Sequence, residues 1–422
     1  MRYYSTRDKN HYASFSEAAL AGLAPDGGLY VPGEVPKFGA AVKSSLGKMG
    51  YEDIAFETMR PWVKDDIPDA VLYDLVHSAY PFSPELASAG GRLVLELFHG
   101  PTAAFKDFGA RFMARAFSYL RRGENRPLKI LVATSGDTGG AVADGFFGVE
   151  GITVTVLYPK GRVSPLQEKQ IAGLKGNISA LAVEGSFDDC QRLVKEAFRD
   201  EELAKRLALS SANSINISRL IPQAAYYAFA AGRALDAVFS VPSGNFGNLT
   251  AALYAYKMGA PIGRFIAATN VNKTVPDYLE SGEFLPRPSV ATLSNAMDVG
   301  VPSNFERISA HFSLEEMRRL ILGISINDAE TRETIADFPR RGYHLDPHTA
   351  VAWHAADKAG GLPQGAPLVI VSTAHPAKFA EIVESLAGKV PVPPSLQKAM
   401  ERTVEAKTIP AELGALREFL KA

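Results

Sequence analysis

The stretch LKILVATSGDTGGAVADGFF, Leu128 to Phe147, changes character twice. Leu128 to Ala133 is a short run of mainly branched apolar residues, the composition of a buried strand. Thr134-Ser135-Gly136-Asp137-Thr138-Gly139-Gly140 then crowds hydroxyls, a carboxylate and glycines into one turn. The small residues of AVADGFF read as the start of a helix. Strand, glycine-rich turn and helix is the unit from which parallel sheets with right-handed crossovers are built. Further such units follow along the chain. Ile152 to Tyr158 reads as a strand before Pro159-Lys160-Gly161-Arg162, and Ile178 to Val183 as a third. Phe187 to Ala208 reads as a long amphipathic helix and Asn216 to Ala231 as another. Ala237 to Val241 is a strand that enters Ser243-Gly244-Asn245-Phe246-Gly247-Asn248 and a helix. Arg264 to Thr269 is one more strand. Pro367 to Ser372 is the last, running into Thr373-Ala374-His375-Pro376 and a helix.

On either side the pattern is less regular. Residues 1 to about 90 alternate helical patterns with Pro and Gly punctuation, and Ser14 followed by Glu17 is a helix start. No catalytic constellation stands out there, and a cap or an oligomerisation segment is expected. Residues 271 to 312 are irregular. Ser313 to Gly323, Asp328 to Phe338 and Ala350 to Gly360 have helical patterns.

The bulk numbers narrow the class. A chain of 422 residues exceeds one compact core, so two or three domains are expected. Its 46% hydrophobic and 22% charged residues are ordinary for a soluble globular protein. A formal net charge of −1 gives no electrostatic case for a nucleic-acid or anionic-membrane partner. The single cysteine, Cys190, has no partner for an intrachain disulfide, and its expected role is packing. The polar opening MRYYSTRDKNHYASF lacks the apolar core of a signal peptide, and no stretch reaches the length of a membrane span. A cytoplasmic enzyme is expected.

Upstream of the opening stretch lies FHGPTAAFKDFGAR, Phe98 to Arg111. Lys106 stands there between Phe105 and Phe108. Aromatic walls remove solvation, and a desolvated lysine drops toward the neutral amine. A neutral amine is the nucleophile that forms a Schiff base with a carbonyl. In open α/β sheets, ligands bind at the carboxyl ends of strands beside helix N-termini. Ser243 to Asn248 offers glycines and free helix N–H groups there, a phosphate cradle that matches neither a Walker A loop nor GxGxxG. Thr134 to Gly140 suits a small carboxylate, while capping of the following helix explains one of its polar residues. A hydroxyl at the end of the last strand suits a ring nitrogen of a ligand. His375 reads as a core histidine. His344, His348 and His354 lack a completing set of ligands, so no metal is expected.

A reactive lysine with a phosphate cradle and no nucleotide motif points to a phosphorylated aldehyde, pyridoxal phosphate. The motifs LFHGPTAAFKDFGARFMA (from Leu97), ATSGDTGGAVA (from Ala133), YPKGRVSPLQEK (from Tyr158), NSINISR (from Asn213), VPSGNFGN (from Val241), ATLSNAMDV (from Ala291) and TAHPAKF (from Thr373) occur in order along the chain. Together they resemble those of the threonine synthases, within the fold type II family of pyridoxal-phosphate enzymes.

The resemblance implies two open, mainly parallel sheets flanked by helices, with an N-terminal mostly helical segment. The expected division is residues 1–90 for that segment, 91–220 for a smaller α/β domain and 221–422 for a larger one. Lys106 matches the Schiff-base lysine. Gly244, Asn245, Phe246 and Gly247 match the loop that holds the cofactor phosphate, and Asn248 falls where the family often has aspartate. Thr373 matches the hydroxyl residue facing the pyridine nitrogen. Thr134, Ser135, Asp137 and Thr138 match the loop that receives the substrate carboxylate, with Asp137 where related dehydratases carry asparagine. Lys160, Arg162, Ser164, Asn213 and Arg219 are the candidates for the leaving phosphate. The implied activity is that of a carbon–oxygen lyase turning O-phospho-L-homoserine and water into L-threonine and phosphate, as a monomer or homodimer.

Overall fold

Strands made of consecutive apolar residues must be covered on both faces, which is the situation of a parallel sheet under helices. Leu128–Ala133 and Ile152–Pro159 are such strands, and they run in parallel from the Leu128/Ile152 pair to the Ala133/Leu157 pair. The computed structural model describes residues 1–10 and 12–421. It places these two strands in a five-stranded sheet ordered Lys407–Pro410, Ile178–Glu184, Ile152–Pro159, Leu128–Ala133, Ala208–Ser211, parallel throughout. A six-stranded sheet is ordered Ile321–Ser325, Ile262–Thr269, Ala237–Pro242, Leu368–Ser372, Arg92–Glu96, Glu85–Ala89. Only its last pair is antiparallel. Helices flank both sheets.

Sheet membership crosses the expected boundaries at 91 and 221. Arg92–Glu96 pairs with Leu368–Ser372, in the sheet formed mainly by later residues. Lys407–Pro410 pairs with Ile178–Glu184, in the other. Both are short edge or near-edge strands recruited over long sequence separations, which local patterns do not register. The N-terminal segment is mostly helical but also carries a three-stranded antiparallel sheet of Tyr3–Ser5, Tyr12–Ala13 and Tyr30–Pro32. Its helix Phe15–Ala21 starts at the Ser14/Glu17 capping box. The long helix expected from Phe187 breaks after Arg199. There Asp200 accepts from the N–H groups of Glu202 and Leu203 and starts the separate helix Glu201–Arg206. The helical pattern from Ser313 ends at Leu320, and Ile321–Ser325 continues as a strand because it pairs with Phe265 to Thr269.

One apolar core joins the N-terminal helices to both sheets, with Trp62, Phe108, Ile130, Tyr226, Phe239 and Phe265 fully buried in it. The Tyr80 hydroxyl donates to the Phe108 carbonyl at 2.9 Å, which fixes the helix Lys106–Leu120 against this segment. Among the described residues no helix is long and apolar enough to cross a membrane.

Candidate functional site

The carboxyl ends of Leu128–Ala133, Ala237–Pro242 and Leu368–Ser372 open on one cleft of about 1580 Å³. Lys106 lines it, at the first position of the helix Lys106–Leu120. The Lys106 Nζ lies 5.7 Å from the centre of the Phe105 ring. Phe108 instead turns into the core, edge-on to Tyr51. Burial lowers the Lys106 ammonium to about 8, opposed by Asp137 and reinforced by Arg219 and Lys378. The loop before Lys106 is tied to the segment that follows the last strand. The Phe105 N–H donates to the Thr373 carbonyl at 2.8 Å and the His375 N–H to the Ala103 carbonyl at 3.0 Å. These bonds bring Thr373 beside the lysine. The Thr373 hydroxyl lines the cleft and bonds to no described residue.

The second wall is the turn from Gly244 to Asn248. The N–H groups of Gly244, Asn245, Phe246 and Gly247 make no hydrogen bond within the described residues. Phe246 stands in the left-handed region at φ 59°, which gathers these N–H groups ahead of the helix Gly247–Met258. Gly244 is required on space alone, because a Cβ there would lie 2.6 Å from the Met297 Cα. Asn245 braces the turn by donating to the Ser214 hydroxyl at 2.8 Å and accepting from the Ser303 N–H at 2.5 Å. The Asn248 Oδ1 points inward and accepts from the Tyr226 and Tyr227 hydroxyls at 2.6 and 2.9 Å. Its Nδ2 is buried without a partner. An asparagine thus serves where an acceptor is needed, without a buried charge.

The third wall is the turn from Thr134 to Gly140. Thr134 is its cap, accepting from the Gly136 and Gly139 N–H groups at 2.9 and 2.8 Å. Its hydroxyl is therefore committed, whereas Ser135 and Thr138 line the cleft and their hydroxyls have no partner among the described residues. Asp137 also lines the cleft, but its carboxylate is engaged by two neighbours. Its Oδ1 accepts from the Gln167 Nε2 at 3.0 Å and lies 2.9 Å from the Lys378 Nζ, and that ammonium holds the carboxyl well below its usual range.

The remaining candidates divide by position. Arg219 is buried at the cleft wall, with Nη1 donating to the Ala212 carbonyl at 2.6 Å and Nε without a partner among the described residues. No described carboxylate lies within ion-pair distance of it, and burial pulls its guanidinium down to about 10. Asn213 lines the cleft and ties the strand end by donating to the Ala133 carbonyl at 3.0 Å. Lys160, Arg162 and Ser164 are not brought to the cleft. Lys160 is an exposed partner of Glu184 at 3.3 Å, Arg162 is exposed in the turn after Pro159, and Ser164 caps the helix Pro165–Ala172.

Sequence reasoning passed over Lys378, Gln167 and the cleft residues Asn295 and Met297, and weighed His348, also at the cleft, only as a metal ligand. The signal for Lys378 was present in TAHPAKF, a lysine among apolar residues like Lys106. His348 is bonded to Asp346 at 2.8 Å and accepts from the Ala296 N–H at 3.3 Å, a supporting role. His354 bonds to Thr334 at 2.9 Å. His375, expected in the core, is instead half-buried and accepts from the Ala377 N–H at 3.2 Å, and burial drives it down to about 4. Cys190 is buried.

An amide cradle, a desolvated amine and a free hydroxyl around one cleft fit a phosphorylated ring aldehyde. Comparison with known proteins gives the same picture. Residues 2–80 match the family model described as threonine synthase N terminus. Residues 81–374 match the pyridoxal-phosphate dependent enzyme model, and residues 349–420 match threonine synthase, C-terminal. The threonine synthase of Escherichia coli strain K12 is 42% identical, over 100% of this chain and 99% of its own length. A crystal structure of threonine synthase from Escherichia coli superposes with a TM-score of 0.93 over 100% of this chain and 99% of that one, at 41% identity. A crystal structure of threonine synthase with bound pyridoxal phosphate, from Brucella melitensis, gives 0.91 at 38% identity over 100% and 99%.

Proposed function

The chain belongs to the threonine synthase family of pyridoxal-phosphate-dependent enzymes, and on that premise we propose that it converts O-phospho-L-homoserine and water to L-threonine and phosphate. The observation that carries this reading is the presence of two anion sites on one cleft with Lys106. One is the cradle of free N–H groups from Gly244 to Gly247, and the other is the buried Arg219, with no described carboxylate within ion-pair distance. A cofactor phosphate occupies one site, and a phosphorylated substrate calls for the other.

The residues present fit the cofactor. The Gly244 to Gly247 amides would hold its phosphate, the Thr373 hydroxyl its ring nitrogen, and Lys106 its aldehyde carbon. Bound there, pyridoxal phosphate supplies a sink for the electron pair left at the substrate α-carbon. A neutral hydroxyl at Thr373 leaves that nitrogen less protonated than a carboxylate would.

The Ser135 and Thr138 hydroxyls take the substrate carboxylate, in a turn that Thr134 holds together. Lys106, as the free amine, removes the α-proton and then shuttles the proton from Cβ. The bond from Cγ to the phosphate oxygen breaks, and Arg219 and Asn213 receive the leaving phosphate. A proton returns to Cγ, water adds its hydroxyl at Cβ, and a proton returns to the α-carbon. The atoms of substrate plus water are those of threonine plus phosphate. Two α/β domains, proposed around the five-stranded and the six-stranded sheets, meet at this cleft. The purified holoprotein should release phosphate and threonine in equal amounts from phosphohomoserine. Deamination of serine far faster than that release would point to a dehydratase instead.

A further inference from the structure

Lys378 has the least exposed ammonium near the site, with a side chain 0% exposed. It lies in the turn Pro376–Phe379, directly after the segment that carries Thr373. Its Nζ donates to the Thr102 carbonyl at 2.7 Å and lies 2.9 Å from the Asp137 Oδ1. Thr102 belongs to the loop that presents Lys106, and its carbonyl also accepts from the Gln170 Nε2 at 3.1 Å. Three chain segments thus meet at one ammonium: the lysine loop, the hydroxyl turn and the Thr373 segment. Burying an ion pair costs desolvation that its attraction only partly returns, so stability alone is a poor reason to keep one here.

The position of Asp137 supplies a better one. It follows Ser135 and precedes Thr138, in the turn proposed to take a substrate carboxylate. Left alone, its charge would repel that carboxylate and pin Lys106 as an ammonium. We propose that Lys378 is a positioning residue that pairs with Asp137, offsets its charge beside the substrate carboxylate, and so leaves Lys106 free to act as a base. This rests on the reading of Lys106 as the proton carrier. The charged groups facing Lys106 are Asp137, Arg219 and Lys378, while Asp107 faces Arg219 and Lys378.

The two members of the pair then act on Lys106 with opposite sign. Removal of Lys378 leaves Asp137 uncompensated and favours the Lys106 ammonium. Removal of Asp137 leaves Lys378 uncompensated and disfavours it. The test is the pH dependence of kcat for the holoenzyme and for Lys378→Met, Asp137→Asn, Lys378→Arg and the Asp137→Asn/Lys378→Met double variant. The acid limb should move up by about one pH unit in Lys378→Met and down by about as much in Asp137→Asn. It should return close to the wild-type position in the double variant and stay there in Lys378→Arg. KM for phosphohomoserine should rise roughly tenfold in Lys378→Met and recover in the double variant.

A purely structural lysine would lower thermal stability without moving the limb in opposite directions. Equal shifts in the two single variants, or no recovery in the double, would overturn the proposal. Should Lys378→Met fail to fold, Asp137→Asn set against the double variant and Lys378→Arg carries the same comparison. Absence of wild-type phosphate release would instead count against the proposed substrate. The coupling would then be read from the pH dependence of borohydride trapping of pyridoxal phosphate on Lys106, in the same variants.

Discussion

The carboxylate of Asp107 accepts two hydrogen bonds from Thr102, one from its N–H at 2.8 Å and one from its hydroxyl at 2.6 Å. These bonds fold the lysine loop back onto the first turn of the helix Lys106–Leu120. A Cβ on Gly100 would lie 2.4 Å from the same carboxylate, so the loop closes without room to spare. Asp107→Ala should leave two buried donors unsatisfied and cost roughly 2–5 kcal/mol in denaturant unfolding. A loss under half a kcal/mol would show that the loop is held by other means.

Asp107 also gives a pH prediction. Burial pushes its carboxyl up to about 6, so the native state holds the proton more tightly than the unfolded chain does. Its contribution to stability is therefore full below about pH 4 and is lost as pH rises through about 6, on the order of 3 kcal/mol in all. The stability difference between wild type and Asp107→Asn should shrink over that window and stay flat above it. Urea unfolding at pH 4 to 8 measures it, and a difference that grows with pH would contradict the assignment.

Much of this arrangement was legible in the sequence and some was not. The sheet strands announced themselves because their apolar runs end in glycine-rich turns, as at Ala133 and Pro242. Lys106 was legible from its aromatic neighbours, although only Phe105 faces it. The Asp107 bonds to Thr102 depend on a loop conformation, and a lysine–aspartate neighbour pair looks the same when solvated. Lys378 and Asp137 are 241 positions apart in the numbering, so their pairing exists only in the fold. Ala208–Ser211 and Lys407–Pro410 were missed because short edge strands take their order from the neighbour they pair with.

The cradle separates its two glycines. A Cβ on Gly244 would meet backbone, 2.6 Å from the Met297 Cα and 2.9 Å from the Ala296 carbonyl oxygen. One on Gly247 would lie 3.3 Å from the Asn304 side-chain nitrogen, which can give way. Gly244→Ala should weaken pyridoxal phosphate binding by at least tenfold, about 1.4 kcal/mol, and Gly247→Ala by less. Titration of the stripped protein with cofactor, followed by its absorbance, compares the two, and the reverse order would contradict the placement of the cradle.

Position likewise divides the cations. Arg219→Met should lower kcat/KM for phosphohomoserine by roughly 30- to 100-fold, the loss of one buried charge-assisted contact. Lys160→Ala and Arg162→Ala, which alter exposed side chains outside the cleft, should stay within about twofold of wild type. Steady-state phosphate release decides between them. A large loss in Lys160→Ala with none in Arg219→Met would move the substrate phosphate to the other side of the turn.

The central claim is that Lys106 both anchors the cofactor and moves the substrate protons. Its most direct test is Lys106→Ala, examined for the visible absorbance of covalently held pyridoxal phosphate and for phosphate release from phosphohomoserine. Both should be lost, with the circular dichroism spectrum of the folded protein unchanged. Phosphate release retained at the wild-type rate in that variant would contradict the account.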